Sequence, residues 1–336
     1  MLRKPLLALV FGLALLCASE PSVFAEPLKI RVGWAVVPGQ LTSILFTKKD
    51  ILQHYGASYT VELVHFRGST PQITALAAGE LDLAALAFSS IGLAIQNAHM
   101  DDIRVVADLY QDGIGDYYTS EYMVLADGPI KTIDDLRGKV LASNGIGGAI
   151  DMAMRKIMLD HGMQEKRDYR IVEVEFPNML PQLKAKNVDL VGEVTPFSIE
   201  AHKDGAVRTL FTLKSAMGPA QTTLLAARTG YISEHRATLV DFFEDWIRAT
   251  RWYLDPENHA EAVKILADFT KQPTSVYDDW VFTEKDYYRD PDAKPNLTAL
   301  QSNLKVQREL GLLDIDIDIG KYTDLSLVED AAKRIQ

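Results

Sequence analysis

The stretch Phe66–Ala98, FRGSTPQITALAAGELDLAALAFSSIGLAIQNA, constrains the fold more than any other part of this chain. It opens on Gly68-Ser69-Thr70, followed by Pro71. Ser69 or Thr70 can accept a backbone N–H as an N-cap, and proline at the first helical position loses no hydrogen bond. Ile73, Leu76 and Ala77 then share one helical face, and Gly79 ends the short helix. LDLAALA follows, an almost continuous apolar run of strand length, as expected for a strand covered on both faces. At Phe88-Ser89-Ser90 it gives way to a second helix with Ile91, Ala94, Ile95 and Ala98 on one side. The unit is helix, strand, helix, with hydroxyl residues at both helix starts. Each helix is expected beyond the carboxyl end of a parallel strand, where open α/β sheets bind ligands. Free N–H groups and the positive dipole end there suit a small anion or a carbonyl. One such turn alone reads more simply as ordinary capping; two converging on one sheet edge favour binding.

Met1–Ala25 is set aside as a secretory leader. Arg3 and Lys4 form a basic start, Leu6–Leu16 is apolar but too short to span a bilayer, and Val23-Phe24-Ala25 offers a small-residue cleavage site. The single cysteine, Cys17, lies inside it behind Leu16, which is too large for a lipoprotein signal. The expected mature chain is soluble and periplasmic, begins at Glu26, and has no disulfide, thiol nucleophile or cysteine-ligated metal. No other stretch is long and apolar enough for a membrane span. About 310 residues remain, more than one core usually supports, so two lobes are expected. The net charge of −11 becomes −12 without Arg3, Lys4 and Glu20, which argues against nucleic acid or anionic membranes as partners. An anionic ligand would have to be held by local dipoles against that field.

Leu28–Trp34 reads as a first strand, and Trp34 at its end packs either on a ligand or in the core. The loop to Gln40 contains Pro38-Gly39, and Leu41, Ile44, Leu45 and Lys48 mark a helix. Tyr59–Phe66, Asp101–Asp108 and Glu121–Ala126 read as further strands. A short helix within Pro129–Leu136, capped by Thr132, precedes a strand over Gly138–Ala142. Ser143-Asn144-Gly145-Ile146-Gly147-Gly148 then leads into a helix whose face carries Ile150, Ala153, Met154, Ile157 and Met158. That glycine cluster lets backbone N–H groups approach a ligand. It is neither a G-x-x-x-x-G-K-[ST] nor a G-x-G-x-x-G nucleotide motif. Arg170–Glu175, Val188–Val194 and Thr222–Arg228 are strands, Met179–Lys186 a helix, and the chain from Ser233 is mainly helical. Glu193 stands at the end of an otherwise apolar strand, either facing solvent or accepting hydrogen bonds from a ligand amine.

Asp314, Asp316 and Asp318 imitate a calcium loop, but Ile319 and Leu325 stand where glycine and glutamate are required. The histidines form no H-E-x-x-H, there is no G-x-S-x-G elbow, and Ser89-Ser90 lacks any paired base, so no metal, cofactor or catalytic machinery is expected.

GSTPQITALAAGELDLAALAFSS, then PIKTIDDLRGKVLA, then PQLKAKNVDL together resemble the periplasmic substrate-binding proteins of the nitrate, sulfonate and taurine ABC transporters, and related pyrimidine-precursor binders. The resemblance spans nearly the whole mature chain. It implies an α/β, two-lobed periplasmic-binding-protein-like (type II) fold with a ligand between the lobes. Lobe one would be Glu26–Thr119 plus Ala226–Gln336 and lobe two residues 120–225, with crossings near Ser120–Ala126 and Thr222–Ala227. The implied ligand positions are Gly68, Ser69 and Thr70, Ser89 and Ser90, Gly147 and Gly148, and by position alone Trp34 to Gln40 with Pro38 and Gly39. Phe88 and Phe197 would join Trp34 against the ligand body. The sulfonate branch often carries W-D-P after the later strand; here Glu193-Val194-Thr195-Pro196 departs from it and leaves Glu193 and Thr195 as candidates of a different character. The implied role is a monomeric solute-binding component serving an ABC permease and ATPase, taking a small organic anion. The alternatives are a pyrimidine-precursor or amine-bearing ligand, or presentation to a sensor. Enzymes of the wider fold, a fungal pyrimidine synthase and porphobilinogen deaminase, rely on cysteines that the mature chain lacks.

Overall fold

The computed structural model describes residues 26–335; the expected leader lies outside the described residues. Among the described residues, ten strands and eleven α-helices follow one another in two similar units. The first contributes β1 (Leu28–Trp34), α1 (Thr42–Leu45), β2 (Tyr59–His65), α2 (Ser69–Ala77), β3 (Ala84–Ala87), α3 (Phe88–Ala98) and β4 (Ile103–Asp112). The second contributes β5 (Glu121–Leu125), β6 (Val140–Ser143), α4 (Ala149–Asp160), β7 (Arg170–Glu173), α5 (Phe176–Lys184), β8 (Leu190–Glu193), α6 (Phe197–His202), β9 (Val207–Thr212) and α7 (Leu213–Met217). The chain then returns through β10 (Ala220–Arg228) to α8 (Thr229–Leu254), α9 (His259–Thr270), α10 (Leu297–Glu309) and α11 (Ser326–Arg334).

The first sheet is ordered β2-β1-β3-β10-β4. β1 and β2 are parallel, from Leu28 opposite Tyr59 to Trp34 opposite His65. β1 joins β3 through Leu83, whose carbonyl accepts from Gly33 N–H at 2.8 Å and whose N–H donates to Arg31 O at 3.1 Å. β10 runs antiparallel between β3 and β4. The second sheet is ordered β7-β6-β8-β5-β9, with β5 antiparallel between β8 and β9. Each sheet therefore takes its one antiparallel strand as the chain arrives from the other.

The passages between sheets are residues 113–120 and 213–219, whereas the sequence placed them at Ser120–Ala126 and Thr222–Ala227. Those stretches are already paired inside β5 and β10, and the expected boundary at 225 falls within β10, all of which belongs to the first sheet. β9 has no counterpart among the expected strands.

Burial follows the sequence pattern. Phe242, Phe243, Trp246 and Ile247 of α8 lie against Phe46, Tyr59 and Val106 in one core of the first unit. Beneath that stripe Asp245, fully buried, accepts from the N–H groups of Gln53, His54 and Tyr55 and from Tyr59 Oη, so its charge is met by four donors. A second core runs from Leu76, Phe88 and Ile91 through Leu224, Leu300 and Met217 to Met152, Met154 and Tyr122, crossing from one unit to the other.

Candidate functional site

The two turns of the opening stretch are joined directly. α2 begins at Ser69, with Gly68 before it and no side-chain cap. Ser69 or Thr70 was expected to cap this helix. Instead Ser69 Oγ accepts from Ala87 N–H at 2.9 Å, at the exact place where β3 turns into α3. Gln72, fully buried, accepts from Ala85 N–H at 2.8 Å through Oε1 and donates to Gly68 O at 3.3 Å. The turn at Gly68–Ser69 is thus pinned to the end of β3 by two side chains. Neither α2 nor α3 carries an acidic residue in its first turn. Ser89 is buried, Ser90 half-buried and Thr70 exposed. Phe88 is fully enclosed in the core, where a ligand-facing ring was expected; Leu86 and Ile91 belong to the same cluster.

The loop after β1 is fixed from inside. Gln40 Oε1 accepts from Ala35 N–H at 2.8 Å, and the Pro38 and Gly39 carbonyls accept from Arg289 Nη2 at 3.0 and 3.1 Å. Pro38, Gly39 and Gln40 are buried. Trp34 is half-buried against His65 and Phe269, with ring centroids 4.4 and 5.7 Å away.

The glycine turn of the second unit has a different character. Gly147 takes φ 79°, a left-handed conformation that glycine adopts without a Cβ penalty. Its N–H donates to Asp151 Oδ2 at 2.8 Å, and Ile146 N–H donates to Glu173 Oε1 at 2.9 Å. Asp151 is fully buried in the first turn of α4 and pairs with Arg155 at 2.8 Å. Two of the N–H groups that would greet an anion are already held by carboxylates. Gly148 immediately precedes α4 in extended conformation.

At the end of β8, Glu193 is fully buried and neither carboxylate oxygen has a hydrogen-bond partner. Burial pushes its pKa up to about 8, so it is held as the neutral acid at pH 7. Solvent exposure, one of its two expected settings, is ruled out by this enclosure. Thr195 is buried, and Phe197 stacks on Phe176 with centroids 5.8 Å apart.

Sequence reasoning missed the residues where the chain crosses between sheets. Tyr118 Oη donates to Ser198 Oγ at 2.8 Å, while its N–H is shared by the Glu284 and Asp286 carbonyls at 3.1 Å each. Ser120 N–H and Oγ–H both donate to Asp112 Oδ2, at 3.0 and 2.6 Å, and Ser120 Oγ lies 3.1 Å from Tyr287 Oη. Burial raises the pKa of Asp112, whose other oxygen is unpartnered. Only the tyrosine doublets at 117–118 and 287–288 hint at this in sequence.

Three cavities of more than 500 Å³ have none of the expected residues in their walls, the shallowest of them, about 530 Å³, lying beside Arg236 and Arg334. One of about 540 Å³ is lined by Leu125, Ile130, Leu183 and Val188 of the second unit. The third, about 700 Å³, lies beside Tyr117, Phe282 and Arg289. Among the described residues no cluster of histidine, cysteine or carboxylate side chains could hold a metal, and no helix is long and apolar enough to cross a membrane.

Three solved structures place this fold. The periplasmic nitrate-binding protein NrtA from Synechocystis PCC 6803 is 16% identical, with a TM-score of 0.70 over 93% of this chain and 90% of that one. The periplasmic aliphatic sulphonate binding protein SsuA from Escherichia coli is 18% identical, with a TM-score of 0.66 over 89% and 92%. The desulfurization enzyme DSZB is 12% identical, with a TM-score of 0.66 over 92% and 100%. No curated protein matches the sequence. The two-lobed α/β architecture of periplasmic binding proteins is therefore the fold of this chain. Residues 24–267 match the NMT1-like family, and by that match over most of its length the chain belongs to the NMT1-like family.

Proposed function

We propose that this protein is the solute-binding component of an ABC importer, capturing a small organic anion between its lobes and delivering it to a permease and ATPase. The observation that carries the reading is the pair of turns at Ser69 and Ser89, held together by the Ser69–Ala87 hydrogen bond and free of acidic side chains at both helix starts. Family membership and the fold support it. The resemblance to both binding proteins and an enzyme leaves chemistry to the residues, and nothing in the turns pairs a nucleophile with a base, which favours binding over catalysis. The anionic end of the ligand belongs on the first lobe, because Asp151 and Glu173 already occupy the turn of the second. In this reading the leader Met1–Ala25 directs export to the periplasm, the lobes are those expected from the sequence with boundaries shifted to the crossings, and the protein works as a monomer.

The test is a thermal-shift screen of the exported protein against sulfonates, nitrate, aromatic acids and pyrimidines. A true ligand at 100 times its Kd stabilises by about 2.7 kcal/mol, a readily visible shift. A binder whose affinity is unchanged in both Ser69→Ala and Ser89→Ala would remove these turns from the site. Response to none of the anions, with response to a cationic or neutral pyrimidine, would overturn the ligand class.

A further inference from the structure

Residues 282–290 lie between α9 and α10, beyond residue 267 where the family match ends. They form no regular helix or strand, yet they touch both parts of the molecule that ligand capture would use. Arg289 is 3% exposed and spends its two terminal nitrogens in opposite directions. Nη1 donates to Asp286 Oδ2 at 2.8 Å and Tyr287 O at 3.1 Å, while Nη2 donates to the Pro38 and Gly39 carbonyls of the loop after β1. The same Asp286, 1% exposed, offers its carbonyl to Tyr118 N–H in the first crossing. Tyr287 gives a second link: its ring meets Tyr118 edge-on at 5.1 Å and Tyr110 at 4.9 Å, and its hydroxyl reaches Ser120. Tyr110 in turn lies under Gly39, where an added Cβ would come within 3.3 Å of the ring.

We propose that the Asp286–Arg289 segment couples the Trp34–Gln40 loop to the 113–120 crossing, with Arg289 as a positioning residue that makes the loop and the hinge move together. The physical reason is the cost of leaving a buried charged donor unmatched. If the loop carbonyls shift, Nη2 loses both partners at a side chain only 3% exposed, so the guanidinium follows the loop. Asp286 follows the guanidinium and carries the Tyr118 amide with it. The rigid planar fork is what permits this, since four acceptors are served from one side chain in fixed geometry. The coupling gives an importer-type protein a route by which filling the loop biases the lobe angle. That functional meaning rests on the reading above, whereas the coupling itself is a property of the ligand-free protein.

Amide hydrogen exchange on the ligand-free mature chain tests it, comparing wild type with Arg289→Lys and Gly39→Ala. Lysine keeps the charge opposite Asp286 but cannot serve both the ion pair and two carbonyls. Gly39→Ala perturbs the other end by pressing a methyl group on Tyr110. Either variant should accelerate exchange at least about 10-fold in peptides covering both 35–40 and 113–120, with 140–173 unchanged. Acceleration confined to 35–40 would make Arg289 a local clamp and overturn the coupling. No change in either segment, or uniform acceleration that includes 140–173, would overturn it as well. Ligand capture is judged separately by the thermal-shift screen, so failure of one reading is distinguishable from failure of the other.

Discussion

In the first unit β3 runs into α3 through a turn tied by hydroxyl and amide side chains, with no carboxylate in the first helical turn. In the second unit β6 runs into α4 through a glycine turn whose N–H groups are taken by Asp151 and Glu173. Both are strand-to-helix turns, although by strand order β6–α4 answers to β1–α1 and β3–α3 to β8–α6, and their electrostatic occupancy is opposite. A helix start attracts negative charge whatever its source. Here one lobe satisfies that attraction internally and the other leaves it for something else. Two turns of the same strand-to-helix kind can therefore differ in whether the chain's own carboxylates fill them.

The hardest way to break this comparison is to empty the occupied turn. Asp151→Ala removes a fully buried carboxylate from Gly147 N–H and from Arg155, which keeps Glu165 at 2.8 Å, so the loss is mainly that of two hydrogen bonds to a charged acceptor, about 2 kcal/mol. Denaturant unfolding should show that loss. If the variant also gains sulfate-dependent stabilisation while wild type does not, internal occupancy is the reason that turn is closed to anions.

Glu193 sharpens the contrast through pH. Its folded pKa of about 8 lies above the ordinary glutamate value of about 4.3, so the folded state binds more protons between those limits. Its contribution to stability is full below pH 4.3, declines as pH rises toward 8 by at most about 1.4 kcal/mol per unit, and is flat above. Glu193→Gln keeps the shape without the ionisation. The stability difference, variant minus wild type, should therefore grow from pH 5 to pH 8.5; a constant difference would show that the carboxyl does not titrate in this range.

Ser69→Ala should cost about 1–2 kcal/mol, because Ala87 N–H loses its acceptor at a partly buried turn. Restoration by Ser69→Thr, measured by melting temperature, would assign the effect to the hydroxyl. At the small end, Lys29→Ala breaks an exposed pair with Glu62, 3.1 Å apart at the outer edge of the first sheet, and should change stability by less than about 0.5 kcal/mol. An effect as large as that of Ser69→Ala would mean the sheet edge, rather than the turns, dominates the first unit.

How much of this was legible depended on the range of the interactions. Strand β1, the α2–β3–α3 unit, α4 and the α8 stripe follow from apolar periodicity over consecutive residues, and each is present. β9, Val207–Thr212, escaped because VRTLFT has little alternation and its place is set by β5, more than 80 residues earlier. The glycine turn before α4 was visible, and Asp151 stands in plain view behind it. The contribution of Glu173 was not, since it depends on β7 lying beside β6. Ser69 looked like a helix cap because local geometry permits one; its actual partner, Ala87, lies across a turn 18 residues away. The network around Tyr118, Asp286 and Arg289 joins three distant stretches and leaves no periodic trace.

The strand order carries a consequence for how the chain reaches its native state. All five strands of the second sheet lie between residues 121 and 212, so that sheet can assemble from one contiguous segment. The first sheet cannot: β10 must insert between β3 and β4 after the intervening segment has been made. Closing so long a loop costs entropy before any pairing rewards it, and non-local pairing slows folding. The middle of the chain should thus be first to become compact, while the amino-terminal strands wait, unpaired along two edges, for a strand that emerges more than 100 residues behind them.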